Sequence, residues 1–137
     1  MSVLRCCAAG FFSTISLVAP VQAYDLHYRL NGGNLSAEQL RQALNRGLPA
    51  SYDQLFPDQR WSTYLLLDGH PGKGLVAITM GLSPRVGQSK ALLPIATYSV
   101  IEPIPASTQQ WQQLLSAMAG DYANQVIANR GRILNQR

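Results

Sequence analysis

Between Trp61 and Ile101 the chain runs through three strand-length, apolar-rich segments joined only by short loops. Strands so connected pair with their neighbours in an antiparallel meander. Trp61–Asp68 and Leu75–Leu82 are joined by Gly-His-Pro-Gly-Lys-Gly, which reads as a hairpin loop. A longer loop over residues 83–90 leads to a third strand, roughly Leu92–Ile101, and Pro94 near its start argues for an edge position.

The segments before and after fix what covers this sheet. Tyr24–Leu30 alternates apolar and polar, the period of a strand with one buried face. Asn31-Gly32-Gly33-Asn34 turns the chain. Ser36 with Gln39 forms a capping box, and Leu35 with Leu40 a hydrophobic staple. Leu40, Ala43 and Leu44 then line one face of a helix that Gly47 and Pro49 end. Residues 48–60 show no clear period. Ser107 and Gln110 repeat the capping-box spacing before a long helix with a stripe of Trp111, Leu115, Met118, Tyr122 and Val126. Gly120 interrupts that helix and reads as a point of close contact with the sheet. The expected fold is α+β: a single, mostly antiparallel four-stranded sheet, elements in the order β-α-β-β-β-α, packed by two helices.

The hairpin's two faces differ. The register that segregates them best places Leu67 opposite Val76 and Leu65 opposite Ile78. Trp61, Leu65, Leu67, Val76, Ile78, Met80 and Leu82 then share one face. The other carries Ser62, Tyr64, Leu66, Asp68, Leu75, Ala77 and Thr79, too apolar to be simply solvated. Either residues 48–60 cover it as a lid, the simpler expectation, or it is a partner or dimer surface. Tyr64, Leu66, Leu75 and Ala77 are the candidate binding residues on that second reading.

Residues 1–23 have the pattern of a cleavable export signal: Arg5 near the start, a mostly apolar run, then Val21-Gln22-Ala23. Ser13, Thr14, Ser16 and Pro20 interrupt the run and argue against a membrane anchor. Cys6 and Cys7 precede the apolar run, which does not suit lipidation, and they leave with the signal. Residues 24–137 form the expected single domain, with no repeat, linker or transmembrane helix, and are long enough to bury a core without disulfides. They keep ten of the eleven basic residues and all seven acidic ones, a formal charge of +3. The expected location is a Gram-negative periplasm or the secreted space. Weak contact with anionic surfaces fits this charge. Scattered basic residues argue against nucleic acid as a partner. Arg85 and Lys90 read as a basic loop tip.

Motifs for chemistry are poorly met. Gly69–Gly74 lacks the spacing, the Ser or Thr and the following helix of a phosphate-binding loop. Gly81-Leu82-Ser83-Pro84 is not a nucleophile elbow. His27 and His70 are the only histidines after residue 23, too few for a zinc site without thiolates, and no metal or cofactor is expected. Asp68 with His70 is the one compact acid/base pair. The favoured function is a small exported protein-binding domain whose partner is another envelope or exported protein, or a second copy in a homodimer. It would act as an inhibitor, an immunity-type protector or an assembly or secretion accessory factor, by surface contact or by strand addition at the edge formed by Leu92–Ile101. The alternatives are a carrier of a small apolar or lipid-like ligand, held between the sheet and the long helix or lid, and, third, a small hydrolase using Asp68 and His70.

Overall fold

The computed structural model describes residues 24–87 and 93–135. The export-signal segment and Lys90 lie outside the described residues. In chain order the elements are β1 (Asp25–Asn31), α1 (Ala37–Gly47), α2 (Ala50–Leu55), β2 (Trp61–His70), β3 (Leu75–Pro84), β4 (Ala96–Pro103), α3 (Thr108–Ala128) and α4 (Arg130–Leu134). They form the expected α+β fold around one four-stranded sheet in the order β1-β2-β3-β4. The short helices α2 and α4 add to the two long ones read from the sequence. β2, β3 and β4 are antiparallel neighbours. β1 runs parallel to β2, with Asp25 beside Ser62 and Asn31 beside Asp68. The connection through α1 and α2 supplies the length a parallel crossover needs.

The hairpin register differs from the expected one by two residues. Leu67 pairs with Ile78 and Leu65 with Met80. A two-residue slip leaves every side chain on its original face, so the segregation of faces is as expected. The reason lies in the turn. The expected register would leave Pro71-Gly72 as a two-residue turn, whose favoured forms need positive φ at the first position, which proline cannot adopt. Instead His70–Leu75 is the last pair. Pro71–Lys73 makes a 3-10 turn, and Gly74 closes it at φ 64°.

One side of the sheet carries the core. Leu65, Val76, Ile78, Met80 and Leu82 are fully buried there beneath Leu40, Leu44, Leu115 and Tyr122. The α3 stripe packs as its spacing predicts, with Trp111, Leu115, Met118, Tyr122 and Val126 all buried. Both side chains of the Ser36–Gln39 capping box make their bonds. At α3 the box is altered: Ser107 Oγ accepts from the Gln110 N–H, but the Gln110 amide turns to the Ala106 N–H.

Residues 48–60 pack on this same core side and do not cover the other face. Tyr52 from α2 is fully buried against β2 and α3. Its hydroxyl lies 2.6 Å from Thr63 Oγ1 and 2.8 Å from the Tyr122 hydroxyl. Burial raises the Tyr52 phenol, and despite the lowering effect of these two bonds it is pushed up to about 12. Phe56 meets Trp61 edge-on, with ring centroids 5.6 Å apart. The lid expectation fails because these aromatic rings find a deeper apolar site against Trp61 and Tyr122, with partners for the buried hydroxyls.

The helices touch through glycines. A Cβ on Gly47 would sit 2.1 Å from the Ser116 carbonyl oxygen, and one on Gly120 would sit 3.5 Å from the Gly47 carbonyl oxygen. Gly120 therefore marks the α1–α3 crossing, not a contact with the sheet. Gly47 is the last helical residue, and Leu48 is the C-cap.

Gly47→Ala is expected to cost about 1–3 kcal/mol, because backbone must move to admit the methyl. Gly72→Ala, where an added Cβ meets nothing within 4 Å, is expected to stay within about 0.5 kcal/mol. Urea unfolding of the two variants compares them directly.

Candidate functional site

The sheet face opposite the core carries no covering helix among the described residues. Even positions of β2 and odd positions of β1, β3 and β4 point to it, so its composition follows from the register. It divides into an apolar end and a polar end.

The end called apolar lies toward the β2–β3 turn, where Asp68 and His70 also stand on this face opposite Ala77 and Leu75. Leu66 is 46% exposed, Leu75 37% and Ile101 70%. Ile101 on β4 stands directly beside Ala77 on β3, and Pro103 beside Leu75. Leu66 and Leu75 lie exposed on this face, and Ala77 is half-buried between them. Ile101 was missing from the sequence reading because its face is set only by pairing with β3. Tyr64 belongs to this face but is not an open contact residue. It is 7% exposed, since its ring lies across Gly81, where any Cβ would come within 2.2 Å of the ring. Burial raises its phenol above the ordinary value.

The polar end is built around one carboxylate oxygen. Asp25 Oδ2 accepts from Ser62 Oγ at 2.7 Å and from Arg85 Nη2 at 2.6 Å, and His27 Nε2 lies 2.7 Å away. Arg85 Nε also reaches Ser62 Oγ at 3.4 Å. Three strand regions meet here. β1 supplies Asp25 and His27, β2 supplies Ser62, and the residue just past β3 supplies Arg85. Arg85 therefore does not stand out as a cationic loop tip; it folds back to neutralise Asp25. Burial pushes the Asp25 carboxyl up, but the bonds from Arg85, Ser62 and His27 outweigh this and hold it below the usual carboxylate range.

Ser62, His27 and Asp25 are the residue types of a nucleophile–base–acid set, but they are wired differently. Hydroxyl and imidazole converge on the same carboxylate oxygen, whereas catalysis needs the base on the nucleophile and the acid behind the base. The cluster acts instead as a clamp that holds the edge strand β1 against β2 and the end of β3. Asp25 and His27, two apart on one strand, share a face already in the sequence, but Asp25 and Ser62 meet only through a parallel pairing across 37 positions.

Asp68 and His70 are brought together, with His70 Nε2 3.4 Å from Asp68 Oδ2 and both side chains about half exposed. Asn31 Nδ2 donates to Asp68 Oδ1 at 2.8 Å. A hollow of about 240 Å³ beside them is lined by Arg29, Asn31, Leu66, Leu67 and Asp68, with His70 outside it. Among the described residues no group of three or more His, Cys, Asp or Glu is placed to hold a metal ion. No described helix is long and apolar enough to cross a membrane.

Comparison of the chain with known protein families, curated proteins and solved structures finds no match. Function is accordingly read from this geometry.

The Asp25 cluster sets a pH dependence. A carboxyl lowered in the folded state stabilises the fold fully above its unfolded value, near pH 4, and loses that contribution as pH falls through the lower folded value. Asp25→Asn is expected to be about 1–3 kcal/mol less stable than the parent at pH 7, as for hydrogen bonds to a charged group. The gap should close as pH falls below about 4. Denaturation midpoints of both proteins between neutral and acid pH test this; a constant gap would remove the charge from the explanation.

Proposed function

We propose that this is a small exported protein-binding domain that acts by surface contact with another envelope or exported protein, through the open face of its sheet. The observation that carries this is the uncovered end toward the β2–β3 turn, where Leu75 and Ile101 stand exposed on neighbouring strands on either side of Ala77, with exposed Leu66 diagonal to Ala77 on β2. Clustered apolar side chains of this kind mark interaction sites, whereas single ones do not. The polar end beside them supplies the charged rim that protein interfaces carry. The export-signal pattern of residues 1–23 supports action outside the cytoplasm, in a periplasm or the secreted space.

Inhibition, immunity-type protection and assistance in envelope assembly or secretion all use such a surface. The outer edge of β4, Ala96–Pro103, adjoins the apolar end and offers strand addition as a second mode of contact. The space between sheet and α3, where a carrier would hold its ligand, is filled by Leu65, Ile78, Met80, Leu115 and Tyr122, each fully buried.

A photo-crosslinking residue at position 101, introduced in cells, is expected to give a discrete adduct with a different protein. Leu66→Asp and Leu75→Asp should abolish that adduct while shifting stability by no more than about 0.5 kcal/mol, as for exposed positions. An adduct with a second copy alone would make the face a dimer surface. No adduct, or one indifferent to both substitutions, would sink the proposal.

A further inference from the structure

We propose a separate small-molecule site at the far end of the sheet, in a groove that takes an amphiphile with a single negative charge. The groove has a volume of about 420 Å³ and is lined by Arg60, Trp61, Arg85, Val86, Ile95 and Ile133, among others. That volume lies within the ~300–1,000 Å³ of small-ligand sites. Its apolar walls come from four places: the start of β2, the segment after β3, the approach to β4, and α4. Trp61 and Ile133 are firmly buried parts of the core, whereas Val86 is 61% exposed and offers open apolar surface.

The charge at the groove is what selects the ligand. Arg60 and Arg85 face each other across the extension of the β2–β3 pair, where the Arg85 N–H donates to the Arg60 carbonyl at 2.9 Å. Arg85 is neutralised by Asp25 at 2.6 Å. Arg60 has no ion-pair partner among the described residues. Among the described residues, Arg60 is therefore the lining residue of this groove whose charge no ion pair offsets. A guanidinium pairs best with an anion that presents two oxygens in its plane, as a carboxylate or a phosphodiester does. The ligand chemistry is an alkyl or aryl body bearing one such group. A free acyl carboxylate and an anionic lipid share it. This site differs from the carrier cavity expected beneath the helices, and it is independent of the open sheet face.

Titration with sodium decanoate, with dihexanoylphosphatidylglycerol below its micelle concentration, and with decanol separates the possibilities. The readout is the Trp61 indole N–H signal in two-dimensional nitrogen–proton NMR, with Trp111 as the internal control. The expected result is saturable movement of Trp61, and not of Trp111, with at least one of the anions binding tenfold or more tighter than decanol. The tighter anion assigns the source. Arg60→Gln should weaken that anion about tenfold while leaving decanol unchanged, and Arg46→Gln, at the end of α1, should have no effect. Decanol binding as tightly as the anions, Arg60→Gln leaving affinity intact, Arg46→Gln weakening it equally, or no saturable shift at Trp61 would each overturn the proposal.

Discussion

Leu65, Leu67, Val76, Ile78, Met80 and Leu82 project from one side of β2 and β3, and at most 2% of any of them is exposed. Each such side chain contributes about 1.5–3 kcal/mol on burial, so this surface is a large part of what the chain gains by folding. The rest of the molecule is arranged to seal it. The α3 stripe, the α1 face and the aromatic rings of residues 48–60 all converge on the same side. Because every described helix is used there, the opposite face carries none among the described residues. The open face is thus the other side of the same constraint.

Sealing the core brings polar atoms with it, and these are satisfied in pairs. Tyr52, Thr63 and Tyr122 bond to one another where three elements meet. No buried side-chain nitrogen or oxygen among the described residues lacks a partner. An unpaired buried hydroxyl would cost about 1–3 kcal/mol, so this triad ties α2 and α3 to one place on β2. The close α1–α3 crossing at Gly47 and Gly120 acts in the same way through shape, since only a residue without a side chain fits beneath the Ser116 carbonyl. At the sheet's edge the Asp25 clamp holds β1, which packs less deeply than β2 and β3 and exposes Tyr28 at 40%.

Much of the fold was legible along the chain. Alternation in the hairpin separated its two faces, since a period of two is a local property. Ser36–Gln39 and the Trp111–Val126 stripe located the helices for the same reason. Less of the candidate site was legible. Leu66, Leu75 and Ala77 could be assigned to a face, but Tyr64 could not be seen to lie flat on Gly81. Ile101 could not be joined to them without the β3–β4 register. The Asp25 cluster and the groove at Arg60 draw their members from segments far apart in sequence.

By itself, the sequence determined the element order and the apolar side of each element, because each is written in local spacing and residue type. Tertiary structure alone decided which side residues 48–60 would cover, that β1 would run parallel to β2, and that Arg85 would turn inward to Asp25. Those outcomes are competitions between distant surfaces. Tyr52 and Phe56 go where buried area and hydroxyl partners are greatest, and Arg85 goes where a partly buried carboxylate needs a counter-charge. Local pattern carries no record of such competitors, so the open face could be named as one of two alternatives from the chain and chosen only in the folded molecule.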